Sequence, residues 1–493
     1  MINVRRRTRP ALSAHLFNTT GMSESLRRSI FYAMISGAIG TVNSTITTGA
    51  AWTGFIRGLG LDAFALGIIT AIPVAANAVQ ILASYFIEKT GKRRELFIWV
   101  GLIGRMMWML CGFIPLFIPL SALAMRTATL ALLVMACSCA NAVISVGYFS
   151  LVTDLVPMRM RGSFFGTRSA ISLLVAVLTG LGISMLLDRA AGFTGYVIAL
   201  TLAGIFGALD IACYLRVDWP QMKRVSDTGE KPPSFGKIVL TVWRDKPFRT
   251  IMLMLTYWGF AVNISAPFVN MYMLEVVGMT YTQITLINQV LPNVIGILVI
   301  KWWGRRMDEF GNKPVMNLTG MYMALYPLLW IFAGPGIMWM IMLLNVFTGL
   351  STNAYDISVQ NLYLNAAPEK GRSMYISVHL ACTQLLGYAT SSALGGWLLQ
   401  NVFPKLADLN LTFAGFRLTR YHFMFMTSFV LRTFMLVFLV PRLKEAGSQP
   451  MTTLVKQSSR EIKLGTARRF SMIRANIRRR RARRVIDKMN NEK

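Results

Sequence analysis

Ser84-Tyr85-Phe86-Ile87-Glu88-Lys89-Thr90-Gly91-Lys92-Arg93-Arg94 closes one long apolar run and opens the next. Its charges and its glycine mark a short turn between antiparallel helices, because glycine takes the left-handed conformation at little cost. Gly304-Arg305-Arg306-Met307-Asp308-Glu309-Phe310-Gly311-Asn312-Lys313-Pro314 does the same between a later pair of runs. Glu88 corresponds to Asp308 and Gly91 to Gly311 at a common offset of about 220 residues, the mark of an internal repeat. Val42-Asn43 and Val262-Asn263 keep that offset, and Pro73 and Pro292 fall within one residue of it.

Working outward from these turns, twelve apolar runs of about 20 residues are long enough to cross a bilayer as helices. They span roughly 30–55, 63–87, 96–119, 127–152, 163–187, 195–216, 249–275, 281–303, 314–333, 336–360, 374–400 and 419–441. Helices satisfy their own backbone in lipid, so strands are excluded. Pro73, Pro115, Pro267, Pro292 and Pro327 predict kinks, and Trp302 and Trp303 suit an interfacial belt. The composition agrees: 54% of residues are hydrophobic and 15% charged, against about 25% charged in soluble domains. The expectation is an all-α membrane protein with 12 transmembrane helices in two pseudo-symmetric six-helix bundles, 30–216 and 249–441. A basic N-terminus (1–29), a linker (217–248) and a basic C-terminal helix or tail (442–493) complete it.

Charge gives the orientation. The chain carries 51 Lys+Arg against 21 Asp+Glu, a formal net charge of +30. Of the 51, 43 fall on the side of the termini and alternate loops, 6 on the other side, and Arg105 and Arg432 inside runs. That count places Arg168 in a loop. Basic loops stay inside, so both termini are expected in the cytoplasm and the bundle in the inner or plasma membrane. MINVRRRTRP is followed by no signal-peptide core, and Met22 is a second candidate start beside Met1. The five cysteines all fall in predicted spans and read as packing residues.

These loops resemble the major facilitator superfamily of secondary transporters over about residues 25–442. The signature turn of that family is a Gly-x-x-x-Asp-Arg-x-Gly-Arg-Arg type. Here Ser84 stands for its first glycine and Glu88-Lys89 for Asp-Arg, while Gly91, Arg93 and Arg94 are kept. The second copy keeps Gly304, Asp308 and Gly311, and Asp154-Leu155-Val156-Pro157 with Arg161-Gly162, Phe165-Gly166 and Arg168 is similar to the loop between spans four and five. The resemblance implies gating roles for Glu88, Lys89, Gly91, Arg93, Asp154, Arg161, Asp308 and Gly311. It also implies a cavity lined by spans one, four, seven and ten. The proline-rich fifth-span motif of drug–proton antiporters is absent, since 163–187 holds no proline.

The expected cavity spans are rich in neutral polar residues, which are costly in hydrocarbon unless they face partners or water. The candidates are Asn43, Thr47, Asn77, Asn141, Tyr148, Tyr257, Asn263, Asn270, Asn293, Asn345 and Gln384. Such a lining suits a neutral or amphiphilic small molecule, or a lipid-like one. Intramembrane charge is the sharper signal. Arg105 and Asp210 sit at similar depth on spans peripheral in the resembled fold, and read as a structural ion pair. Asp356 lies on a cavity span, where an acid is a candidate to take and release a proton. It is the expected coupling residue for protons or another cation, with His379 second.

The tail from Arg442 holds 16 basic residues. Phe470, Ile473 and Ile477 recur there at helical spacing, as in a helix lying on anionic lipid headgroups. With no nucleic-acid motif, a nucleic acid is not an expected partner. No nucleoside-phosphate loop, metal-ligand spacing or catalytic grouping occurs, so no enzyme, cofactor or metal is expected. The leading function is a secondary transporter, by symport or antiport, working by alternating access. Alternatives are a lipid or glycolipid flippase of the same fold, and a non-transporting receptor or scaffold acting through its tail.

Overall fold

The computed structural model describes residues 23–220, 235–368, 372–413, 415–443, 445 and 447–461. The choice between Met1 and Met22, linker residues 221–234, the side chain of Glu88 and the predicted tail helix lie outside them. Among the described residues, twelve long helical runs follow one another. The first is Glu24–Ile46 with Gly49–Gly58, and the second Ala63–Ala76 with Val79–Thr90. Then come Arg93–Phe117, Leu123–Leu155, Met158–Arg189 and Thr194–Arg216. After the linker follow Lys246–Val277, Tyr281–Phe310, Asn312–Phe332, Met338–Ala366, 372–407 and Arg420–Arg442. Nine of them are long and apolar enough to cross a membrane. The first, tenth and eleventh fall short, and these three are rich in hydroxyl and amide side chains.

Helix breaks follow local chemistry. The first run breaks at Thr47-Thr48, with Gly49 at φ +71°. The hydroxyls of Thr47 and Thr48 donate back to the carbonyls of Asn43 (2.9 Å) and Ser44 (2.8 Å). The Asn43 carbonyl also takes the Thr47 amide, so it is the Ser44 carbonyl whose lost helical partner a hydroxyl replaces. No proline signals this break. Elsewhere prolines mark distortions: Pro267 lies in the 3-10 turn Ala266–Phe268, Pro292 follows the wide turn Leu286–Val290, and Pro327 precedes the 3-10 turn Trp330–Phe332.

Packing differs between the two ends of the molecule. Toward the face opposite the basic loops, one apolar cluster draws on both halves, through Phe55, Leu66, Ile183, Phe268, Ile287 and Phe403 among others. Toward the basic loops the clusters separate. Ile30, Phe97, Leu151 and Phe164 belong to one, and Met254, Trp258, Met316 and Tyr355 to another. The second run spans this difference. Its first segment touches the eleventh run so closely that a Cβ at Gly67 would stand 2.5 Å from the carbonyl of Ser392. Both segments pack on the fourth run, but only the first, before the break at Asn77, is packed so closely on the eleventh.

Trp303 is not an interfacial residue. It is buried beside Met307 and Phe310, and its Nε1 donates to the Leu350 carbonyl at 2.7 Å. An indole buried in a bundle needs such a partner. Two further elements have no counterpart in the expected scheme. Phe235–Arg244 is a helix that buries Val242 against Phe248 and Met252. A strap over 445–461 lies on the turn between runs eight and nine. Glu445 accepts from the amides of Asn312 (3.0 Å) and Lys313 (2.7 Å), and Leu454 is fully buried in the Trp303 cluster.

Candidate substrate cavity and gating contacts

A cavity of about 380 Å³ opens within the first half, lined by polar residues of the first run and by Arg105, Asn141, Arg168 and Asp210. Asn43 is its hinge point: Nδ2 donates to the Ala203 carbonyl (2.9 Å), and Oδ1 accepts from Arg105 Nη1 (2.5 Å). Arg105 Nη2 reaches Asp210 at 3.4 Å. The two thus stand together, but they line the cavity rather than its periphery. Arg168 joins them, its guanidinium lying 4.4 Å from the centre of the Tyr148 ring. It stands ten residues into the fifth run, about 15 Å at 1.5 Å per residue, not in a loop.

Glycines make room for these charges. A Cβ at Gly37 would stand 2.2 Å from Arg168 Nε, and one at Gly40 would stand 2.6 Å from Asp210 Oδ2. A side chain at either place would collide with a charged head. Thr47 also lines this cavity.

The other predicted polar residues divide. Asn77 and Gln384 face each other across a cleft of about 260 Å³ between runs two and eleven. Asn263 donates to the Tyr388 carbonyl and to Ser392 Oγ, both at 3.2 Å, and so ties run seven to run eleven. Asn270 accepts from Asn288 at 3.2 Å. Asn293 donates to the carbonyl of Gln289, one turn back, at 2.8 Å. Tyr257 packs against Phe434. Asn345 is fully buried and bonded to the Ile341 carbonyl of its own helix (3.0 Å), so it reaches no cavity. A lone amide on a helix is readily absorbed this way.

Asp356 is exposed, and among the described residues it makes no hydrogen bond or ion pair. His379 is enclosed between Phe248 and Tyr363, with Thr383 Oγ1 at 3.4 Å from Nδ1. That enclosure suits a packing residue better than one exchanging protons with water.

Of the residues implied in gating, Arg93 is the centre on the basic face. It is 2% exposed and reaches Asp154 Oδ2 (2.6 Å), Ser150 Oγ (2.8 Å) and the Pro220 carbonyl (3.1 Å), with Trp219 over its guanidinium. Arg161 caps the fourth run through the carbonyls of Thr153 and Val156. Lys89 lies near the Tyr85 ring, and Gly91 takes φ +68° in the turn. In the second copy the pattern shifts. Asp308 is exposed and forms no ion pair among the described residues, while Arg306 pairs with Glu309 and with Glu461 of the strap. Gly311 lies under the strap, where a Cβ would stand 2.9 Å from that of Ser448.

The opposite face carries contacts between the halves. Asp188 accepts from the amides of Tyr281 (2.8 Å) and Thr282 (2.9 Å), at the start of the eighth run. A carboxylate there meets both open N–H groups and the positive end of the helix. Ser184 bonds Thr285 (2.6 Å), and Tyr196 bonds Tyr281 (2.6 Å). Glu275 joins Arg57 of the first half (3.1 Å) to Arg420 of the second (3.1 Å) and accepts from the Tyr421 hydroxyl. None of these residues was singled out from sequence as a gate. The only available sign was charge on otherwise sparse loops.

A family model described as Major Facilitator Superfamily matches residues 29–337. No curated protein matches the sequence. Among solved structures, the nucleoside transporter NupG is similar over 84% of this chain and 99% of its own, at 13% identity and a TM-score of 0.62. A bacterial homolog to the human lysosomal transporter Spinster, inward-facing and occupied, is similar over 87% and 99%, at 14% identity and a TM-score of 0.63. The xylose transporter XylE from E. coli, partially occluded and inward open, is similar over 87% and 100%, at 14% identity and a TM-score of 0.60.

Proposed function

The chain belongs to the Major Facilitator Superfamily, and from that premise we propose that it moves a small organic solute across the cytoplasmic membrane by alternating access. Family membership makes it a multi-pass membrane protein and a transporter rather than an enzyme. The proposed moving bodies are the twelve spans taken as two bundles, 30–216 and 249–441, with both termini cytoplasmic.

One observation carries this reading: the halves share a core and a set of ion pairs and hydrogen bonds at one face, and separate around a cleft toward the other. That is the arrangement of a carrier closed outside and open inside. The outer contacts are polar and local, so they can be exchanged for contacts at the inner face without unfolding either half. Arg93 and Asp154 would then stand ready at the inner gate. Asp356 is the proposed coupling site for protons or another cation, because an unpaired acid on this span is open to exchange.

The test uses Ser184→Cys and Thr285→Cys together, in a chain whose native cysteines are replaced, with Asn141→Cys as reporter. Oxidation of the pair locks the outer face. The reporter should then react with an impermeant maleimide from the cytoplasmic side only, and from both sides after reduction. Labelling from both sides while the lock is closed would overturn alternating access.

A further inference from the structure

We infer that the cavity of the first half is a subsite for an anionic group of the solute, a carboxylate or a phosphate, held by Arg168 and Arg105. This rests on the transporter reading and adds the solute's charge, in place of the neutral solute expected from the amides. Three charged residues line the cavity, and they do not balance: Asp210 pairs with Arg105, and Arg168 forms no ion pair among the described residues. Arg105 is engaged through both terminal nitrogens, on Asn43 and on Asp210. Arg168 has its face on Tyr148, and its buried Nε makes no hydrogen bond, nor does that of Arg105. A guanidinium is never deprotonated at these sites and offers a planar fork of donors. A structural pair would need one cation for one anion. An excess cation held partly enclosed within the bundle is costly, and intramembrane charge of this kind marks a substrate or ion path.

The site is built rather than accidental. Gly37 leaves the space that Arg168 occupies, and Gly40 leaves that of Asp210. Both fix the heads against the first run. The volume of about 380 Å³ falls in the range of small-molecule sites. Carboxylate and phosphate both suit the fork, since each accepts two parallel N–H bonds.

The test is a thermal-unfolding titration of the full chain in detergent. The probes are hydrocinnamate, phenylphosphonate and the neutral isostere hydrocinnamamide. The first two separate carboxylate from phosphate chemistry. At least one anion should raise the midpoint saturably at millimolar concentration, because a ligand of the folded state stabilises it, and the amide should not. Arg168→Gln should raise the half-saturating concentration about tenfold. Arg168→Lys should recover part of that loss, and it carries the test if the glutamine variant does not fold. The inference is overturned if neither anion shifts the midpoint, if the amide shifts it equally, or if the anions bind the Arg168 variants as they bind the native chain. The cysteine lock reads out without any anion, so its result separates this failure from a failure of alternating access.

Discussion

The two halves repeat one backbone plan and fill it with different chemistry. The first half sets Arg105, Arg168 and Asp210 among hydroxyls. The second has a smaller pocket of about 220 Å³, where Arg432 stands among Tyr322, Tyr326, Trp330 and Phe425. Asp210 and Arg432 hold corresponding places in runs six and twelve, about 220 residues apart, as the repeat requires. One position has therefore changed sign. Asp210 is held by a pairing cation. Arg432 is held by carbonyls, those of Met323 (2.7 Å) and Val262 (3.4 Å). Symmetry of the fold does not carry symmetry of charge, and an amphiphilic anion would place its head in one half and its apolar body in the other.

This contrast can be broken in three ways. Asp210→Ala should have the largest effect. It strands Arg105 and leaves no anion in a cavity that also holds Arg168, and removing one partner of a buried pair costs about 3–5 kcal/mol. The measurement is apparent stability from thermal or denaturant unfolding in detergent. Gly40→Ala comes next, at about 2 kcal/mol, because its methyl meets the Asp210 carboxylate and forces a shift. Arg432→Met should cost least, about 1 kcal/mol, since it removes bonds to carbonyls but strands no charge. If Arg432→Met costs as much as Asp210→Ala, the two halves hold their charges alike and the distinction fails. A sharper form combines Asp210→Asn with Arg105→Gln. That double variant should lose less than Asp210→Asn and Arg105→Gln taken singly and summed, because the groups touch.

The bundle was legible because its signals are long: apolar runs, a repeated turn and lopsided basic loops all point one way. The site was legible only in part. Asn43, Arg105 and Asp210 stand out because charge and amide are costly in lipid. Arg168 escaped because its run begins with basic residues, so a count by sides assigned it to the loop. Its place ten residues into the helix was the missing sign. Asn345 misled for the opposite reason, since its own helix backbone satisfies one side of the amide. The break at Thr47-Thr48 carries no proline, only hydroxyls that bond back to the carbonyls of the preceding turn. The contacts of Asp188 and Glu275 depend on which residues of distant loops meet, and local patterning does not encode that.

The strap under the second half has a mechanical consequence. Glu445 is fixed to the turn at Asn312 and Lys313, and Glu461 to Arg306. The chain is therefore held to the second bundle as far as Glu461, and not only up to Arg442. If the two bundles rock as proposed, each stroke would displace Glu461 with the second bundle, and a load applied beyond Glu461 would act as a torque on that bundle.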